Sequence, residues 1–123
     1  MDNVTIAEAY YQAMSDKDLS IIKKYLHPEV QLKSPLAEIT GKDAVLNSVK
    51  NFLDLFNKLT VRAQCGSHGD QVMLAYDLDC PAPFGLIRGA VLLTFQEGLI
   101  IRYELFYDAR PFETKKDEIF TKS

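Results

Sequence analysis

The period at which apolar residues recur changes along this chain, and each change announces a different element. Ile6, Ala9, Tyr10, Ala13 and Met14 recur at three and four, which predicts a helix from about Ile6 to Ser15 with these residues as its inner stripe. Thr5 and Glu8 fit a capping box at its start. Asp18 is placed to cap a second short helix, LSIIKKYL, which Pro28 stops after His27. The period then falls to two. Val30 and Leu32 alternate with Gln31 and Lys33, predicting a strand from Glu29 to Ser34, followed by a loop, LAEITG. From Asp43 to Lys58 the helical period returns, with Val45, Leu46, Val49, Phe52, Leu53 and Phe56 on one face and Thr40 with Asp43 as the start signal.

Two hairpins follow. Leu59, Val61, Ala63 and Cys65 alternate with polar residues, and a His68-Gly69 turn sets them on one face with Val72, Leu74, Tyr76 and Leu78. Cys65 then lies opposite Val72, Lys58 opposite Asp79 and Thr60 opposite Asp77. In the second, Leu86 to Phe112, two apolar runs flank Gln-Glu-Gly, which reads as a three-residue loop closed by Gly98. Phe95 opposite Leu99 pairs Leu93 with Ile101, Val91 with Tyr103, Gly89 with Leu105 and Ile87 with Tyr107. One face is then apolar or aromatic, and the other carries Arg88, Thr94, Gln96, Arg102 and Glu104. Gly89 is where a strand is expected to bend.

The order helix, helix, strand, helix, then four antiparallel strands predicts an α+β domain: a cone-shaped curved antiparallel or mixed sheet, three N-terminal helices on its concave face, and a pocket between them. Residues 1–113 make one domain, and the charged tail 114–123 is either frayed or a short helix held by Ile119 and Phe120. A chain of 123 residues buries a sufficient core without metal or disulfide.

Composition narrows the function. The chain is 47% hydrophobic and 25% charged with a net charge of -3, and its lysines are scattered, which argues against nucleic acid. No run approaches the about 20 apolar residues of a membrane span, and the N-terminus lacks a signal-peptide pattern, so a cytoplasmic location is expected. Cys65 and Cys80 are too far apart along neighbouring strands to bridge, and both read as reduced, buried thiols. The two histidines are neither adjacent nor at helical spacing, so neither a metal nor another cofactor is expected.

Three strings, AYYQAMSDKDLSIIKKYLHPEVQLKSP, TGKDAV and EGLIIRYELFYDARPF, in this order and at these spacings, resemble the nuclear transport factor 2-like superfamily, especially its SnoaL-like and ketosteroid-isomerase-like branch. In the steroid isomerases of that branch a helix tyrosine and a strand aspartic acid form an oxyanion hole, while an aspartate before a proline shuttles the proton. The tyrosine matches Tyr10, but the shuttling aspartate falls on Ser34 and the hydrogen-bonding acid on Val91. Serine without an activating partner is no general base, and valine donates nothing. The resemblance therefore implies the fold without steroid isomerase activity. It also implies a homodimer, for which the face bearing Ala90, Leu92 and Phe106 among Arg88, Arg102 and Glu104 is suited.

Candidate chemistry is thin. Asp108 ends the last strand in YDAR, where limonene-epoxide-hydrolase-like relatives place acid or base groups; it is either a pocket acid or base, or simply the partner of Arg110. Tyr76, Tyr103 and Tyr107 share the apolar face, where their hydroxyls could orient a ligand oxygen or bond to backbone, and Tyr10 carries the same two readings; Tyr11 is expected to point elsewhere. His27 reads as a helix-end cap, His68 as a turn residue, and Asp77 and Asp79 as solvated or paired across strands. The pocket is expected to be walled by Tyr10, Phe52, Phe56, Tyr76, Val91, Tyr103 and Tyr107, with Ser34 and Pro35 at its mouth. The expected function is binding of a modest, mostly apolar small molecule. The alternative is a cyclase, isomerase or hydrolase using Asp108 and a tyrosine such as Tyr10 as acid and base.

Overall fold

A computed structural model of the chain describes residues 2–66 and 69–120, with the side chains of 116 and 117 left aside. Helix α1 (Asn3–Asp16) begins three residues before the expected start, because Asp2 is its cap: the carboxylate accepts from the Thr5 amide at 2.8 Å, which places Thr5 inside the first turn. Lys17, at φ 56°, closes the helix in the left-handed region. Asp18 caps α2 (Leu19–Lys24) as expected, accepting from the Ile21 amide and the Ser20 hydroxyl.

Strand β1 (Leu26–Lys33) begins earlier than the sequence pattern allows, absorbing His27 and Pro28. A long-range pairing decides this: Leu26 lies beside Ile100, whose amide donates to the Tyr25 carbonyl, and the ladder resumes only at Gln31. Proline, lacking a donor, fits the irregular stretch between. The loop LAEITG contains a short strand, β2 (Glu38–Thr40), paired with β1. Helix α3 (Lys42–Leu53) has Gly41 as its cap and stops at Leu53, so Phe56 is buried in the turn that follows and not on the helix.

Strands β3 (Lys58–Gly66), β4 (Gln71–Asp79), β5 (Leu86–Gln96) and β6 (Leu99–Tyr107) complete one sheet, ordered β2-β1-β6-β5-β4-β3. The β1–β6 pair is parallel and the others antiparallel, so the sheet is mixed; it is curved and unclosed, with α1 to α3 against its concave side. Lys58 does face Asp79, and Thr60 faces Asp77. A bulge at Arg62 then shifts the register, so Cys65 meets Met73 instead of Val72 and is exposed. Beyond the bulge Gln64 and Gly66 take the α1 side: Gln64 donates to Glu8, and a Cβ on Gly66 would lie 2.9 Å from Val4. The expectation of two buried thiols holds for Cys80 alone. The His68-Gly69 turn lies partly outside the described residues.

The central hairpin turns more tightly than expected. Glu97 and Gly98, at φ 54° and 78°, make a two-residue turn, and a bulge follows between Phe95–Ile100 and Thr94–Arg102. Leu93 therefore pairs with Tyr103, Val91 with Leu105 and Gly89 with Tyr107, two residues away from the expected register. Past the bulge the slip is of two residues and preserves facing, so Tyr103, Leu105 and Tyr107 lie on the expected face; at the turn it is of one, so Ile100 is buried beside Phe95 in place of the Leu99 and Ile101 expected there. Gly89 makes room for a ring: a Cβ there would lie 2.9 Å from Tyr76.

The described part of the tail is structured. A 3-10 turn (Arg110–Lys115) leads into α4 (Lys116–Phe120), and Phe112 and Ile119 are buried in the core. No helix among the described residues is long and apolar enough to cross a membrane.

Candidate functional site

The concave face closes over an apolar cavity of about 40 Å³. Its walls come from the sheet (Leu32, Tyr76, Leu78, Ile87, Tyr103, Leu105, Tyr107), from α3 and the turn after it (Ser48, Val49, Phe52, Leu55), and from the C-terminal segment (Phe112, Ile119, Phe120). Among the described lining residues the polar groups are hydroxyls only. Four of the expected pocket residues, Phe52, Tyr76, Tyr103 and Tyr107, meet there. Six expected site residues do not line it: Tyr10, Ser34, Pro35, Phe56, Val91 and Asp108.

Beneath the cavity the tyrosines form one packed group. The Tyr11 and Tyr103 hydroxyls are hydrogen-bonded at 3.0 Å, Tyr10 meets Tyr103 edge-on at 5.8 Å between ring centres, and Tyr11 stacks on Tyr76 at 5.8 Å. Tyr11 thus points inward, against expectation. Because α1 sits within the curve of the sheet, the buried arc is wide enough for two adjacent residues. The Tyr10 hydroxyl is fully buried and has no hydrogen-bond partner among the described residues. Burial, reinforced by neighbouring phenols, pushes the Tyr10, Tyr11 and Tyr76 hydroxyls well above the ordinary tyrosine range. Tyr103 is raised by burial too, partly offset by its hydrogen bond with the Tyr11 hydroxyl. Tyr107, less completely buried, is also raised by burial, partly offset by the nearby Ser34 hydroxyl.

Asp108 lies just past β6, outside the cavity and on the protein surface. Arg110 grips it, Nε donating to Oδ1 at 2.9 Å and Nη2 to Oδ2 at 2.7 Å, while the Arg110 amide donates to Oδ1 at 3.1 Å. These bonds hold its pKa at about 2. Such a carboxylate is ionised at neutral pH and is neither a proton donor nor a strong base. Ser34 is used locally: its Oγ accepts from the Leu36 and Ala37 amides, both at 3.2 Å. Val91 is buried beneath the sheet face with nothing to donate. His27 sits within β1, not at a helix end, and its Nδ1 accepts from the Glu29 amide at 3.0 Å. His68 lies outside the described residues.

Ser48, Leu55 and the C-terminal trio are among the lining residues not expected at the pocket; the sequence pattern puts Leu32, Val49, Leu78, Ile87 and Leu105 on inward faces but not in the wall. Ser48 falls on the apolar stripe of α3 between Val45 and Phe52, and a small polar residue on such a stripe is a readable signal. On the convex face Asp77 lies between Arg62 at 3.7 Å and Arg88 at 3.9 Å, the cross-strand pairing expected of it. Met73 and Phe106 are exposed on that same face.

A sequence model of the SnoaL-like domain matches residues 7–103. The chain belongs to the SnoaL-like family. Among curated proteins none matches it. In three dimensions this SnoaL-like domain is similar to a protein from Kribbella flavida (TM-score 0.82, 25% identity, 93% of this chain and 95% of that one). It is also similar to a steroid delta-isomerase from Pseudomonas aeruginosa (TM-score 0.80, 20% identity, 95% and 88% covered). TerC, crystallised with polyporic acid, superposes with a TM-score of 0.76 at 18% identity over 91% of this chain and 95% of that one. The SnoaL-like domain thus has the cone fold that these proteins share.

Proposed function

We propose that this SnoaL-like domain binds a neutral, mostly apolar small molecule and has no steroid isomerase activity. The observation that carries the reading is the cavity wall: apolar, with hydroxyls as its polar groups among the described residues. A charged ligand would find no counter-ion there, whereas a carbonyl or hydroxyl could be met by Tyr76, Tyr103 or Tyr107. The isomerase chemistry lacks its means, since Ser34 and Val91 stand where the carboxyl groups would be needed. TerC, which shares this fold, was crystallised with polyporic acid, in keeping with a small-molecule site. The reading as an acid–base enzyme centred on Asp108 loses support from the Arg110 pairing.

The proposal includes a homodimer through the convex face, supported by exposed Phe106 and Met73 beside Leu92, Arg88 and Arg102. A cytoplasmic setting belongs to it as well, in keeping with two unbridged cysteines. The test is a thermal-shift screen against steroids, polyketide-like aromatics, terpenoid epoxides and fatty acids, repeated with Asp108→Asn. A ligand present at a hundredfold excess over its Kd stabilises the fold by about 2.7 kcal/mol. Neutral hits that bind equally to both chains and return unconverted support binding; conversion lost in Asp108→Asn would make the protein an enzyme.

A further inference from the structure

A cavity of about 40 Å³ holds a water or two, whereas sites for drug-sized ligands enclose about 300–1,000 Å³. If the binding reading is right, part of the wall must yield. Most of it cannot do so cheaply: the sheet residues sit in hydrogen-bonded ladders, and Ser48, Val49 and Phe52 in a three-turn helix. Residues 110–120 are attached differently. Among the described residues no backbone hydrogen bond ties this segment to the sheet or to α1 to α3. Among the described residues a side-chain bond to the body runs from Asn51 Nδ2 to the Ile119 carbonyl at 3.2 Å, and Lys115 pairs with Glu118 within the segment itself.

The described contacts of the segment with the body are mostly apolar. Phe112 stacks on Phe84 at 5.0 Å and meets Tyr107 edge-on at 5.7 Å, while Ile119 is buried and Phe120 half-buried against the same cavity. A ligand entering the cone would replace these contacts with similar ones of its own. We infer that the C-terminal segment is an internal plug: Phe112, Ile119 and Phe120 occupy the volume of the ligand, and binding requires their displacement. The inference rests on the proposed ligand binding and specifies how that site is regulated.

A plug and its ligand compete, so the apparent affinity is lowered by the fraction of molecules with the segment open. Weakening the plug must then tighten binding. The full chain and its Phe120→Ala variant, which trims a half-buried side chain and spares the core, are titrated with the neutral fluorophore 1-N-phenylnaphthylamine. The expected result is a Kd lower by about fivefold or more in the variant. Hydrogen exchange on the unaltered chain supplies an independent reading: saturating probe is expected to accelerate exchange at residues 110–120 and not in β5 and β6. Equal or weaker binding by Phe120→Ala, or slower exchange in the segment, would show that it merely completes the core, and would leave ligand binding standing. Absence of probe binding by either chain would overturn both the binding reading and the plug.

Discussion

Two regions joined by strand β6 contrast sharply: the tyrosine floor around Tyr103, and the surface around Asp108 a few residues further on. In the sequence the carboxylate is the more reactive group and the phenol the blander one. Their surroundings reverse the order. Tyr103 is buried, so its hydroxyl is a scarce polar contact; Asp108 is exposed and Arg110 has already claimed its charge. Chemical potential in this fold comes from where a group is held, and only secondarily from what the group is.

The contrast can be broken most severely with alkali. Tyr10, Tyr11, Tyr76 and Tyr103 all have hydroxyls raised by burial above the value of about 10 that they have in the unfolded chain. Below that pH both states keep their protons and stability is unaffected. Above it the unfolded chain releases protons that the fold retains, and each tyrosine lowers stability by about 1.4 kcal/mol per pH unit. Tyr10, Tyr11 and Tyr76, the three raised furthest, together reach a typical domain stability within about two or three units. Tyrosinate absorbance and far-ultraviolet circular dichroism are expected to change together, above pH 10. Ionisation of these tyrosines near pH 10 with the fold intact would show the floor to be open to solvent.

A smaller effect follows from emptying the floor. Tyr10→Ala removes a fully buried ring and is expected to cost about 3–5 kcal/mol in urea unfolding. Smaller again are the hydroxyl deletions, which should differ in sign. Tyr103→Phe strands the Tyr11 hydroxyl and is expected to cost about 1–3 kcal/mol. Tyr10→Phe removes an unpartnered hydroxyl and is expected to be neutral or stabilising by up to about 1 kcal/mol. Equal losses in the two variants would mean that Tyr10 has a partner. At the bottom of the scale, Asp108→Asn is expected to leave the melting temperature unchanged at pH 7, because an exposed ion pair contributes little.

The fold was largely legible because its signals are local and periodic. The stripe of α3, the Asp18 cap and the alternation of β4 to β6 each repeat over enough residues to outvote a misread turn. What escaped reading depends on partners distant in sequence. Strand β1 starts at Leu26 because Ile100 is beside it, and Cys65 is exposed because Arg62 bulges. The candidate site was half legible for the same reason. Period two puts Tyr76, Tyr103 and Tyr107 on the inner face, and no turn error by two residues can undo that. Tyr11, by contrast, is buried through the curvature of the whole sheet, and the apolar residues of a charged tail give no sign that they close the cone. Asp108 was ambiguous by nature, since its direction hangs on one arginine two residues away.

The most direct measurement is calorimetric titration of one neutral hit from the thermal-shift screen into the unaltered chain, Tyr103→Phe and Asp108→Asn in parallel. The account predicts that loss of the Tyr103 hydroxyl weakens binding by about tenfold, the worth of one hydrogen bond, while Asp108→Asn binds as the unaltered chain does. Binding that survives in Tyr103→Phe and collapses in Asp108→Asn would contradict it, and would move the functional centre from the floor of the cone to its rim.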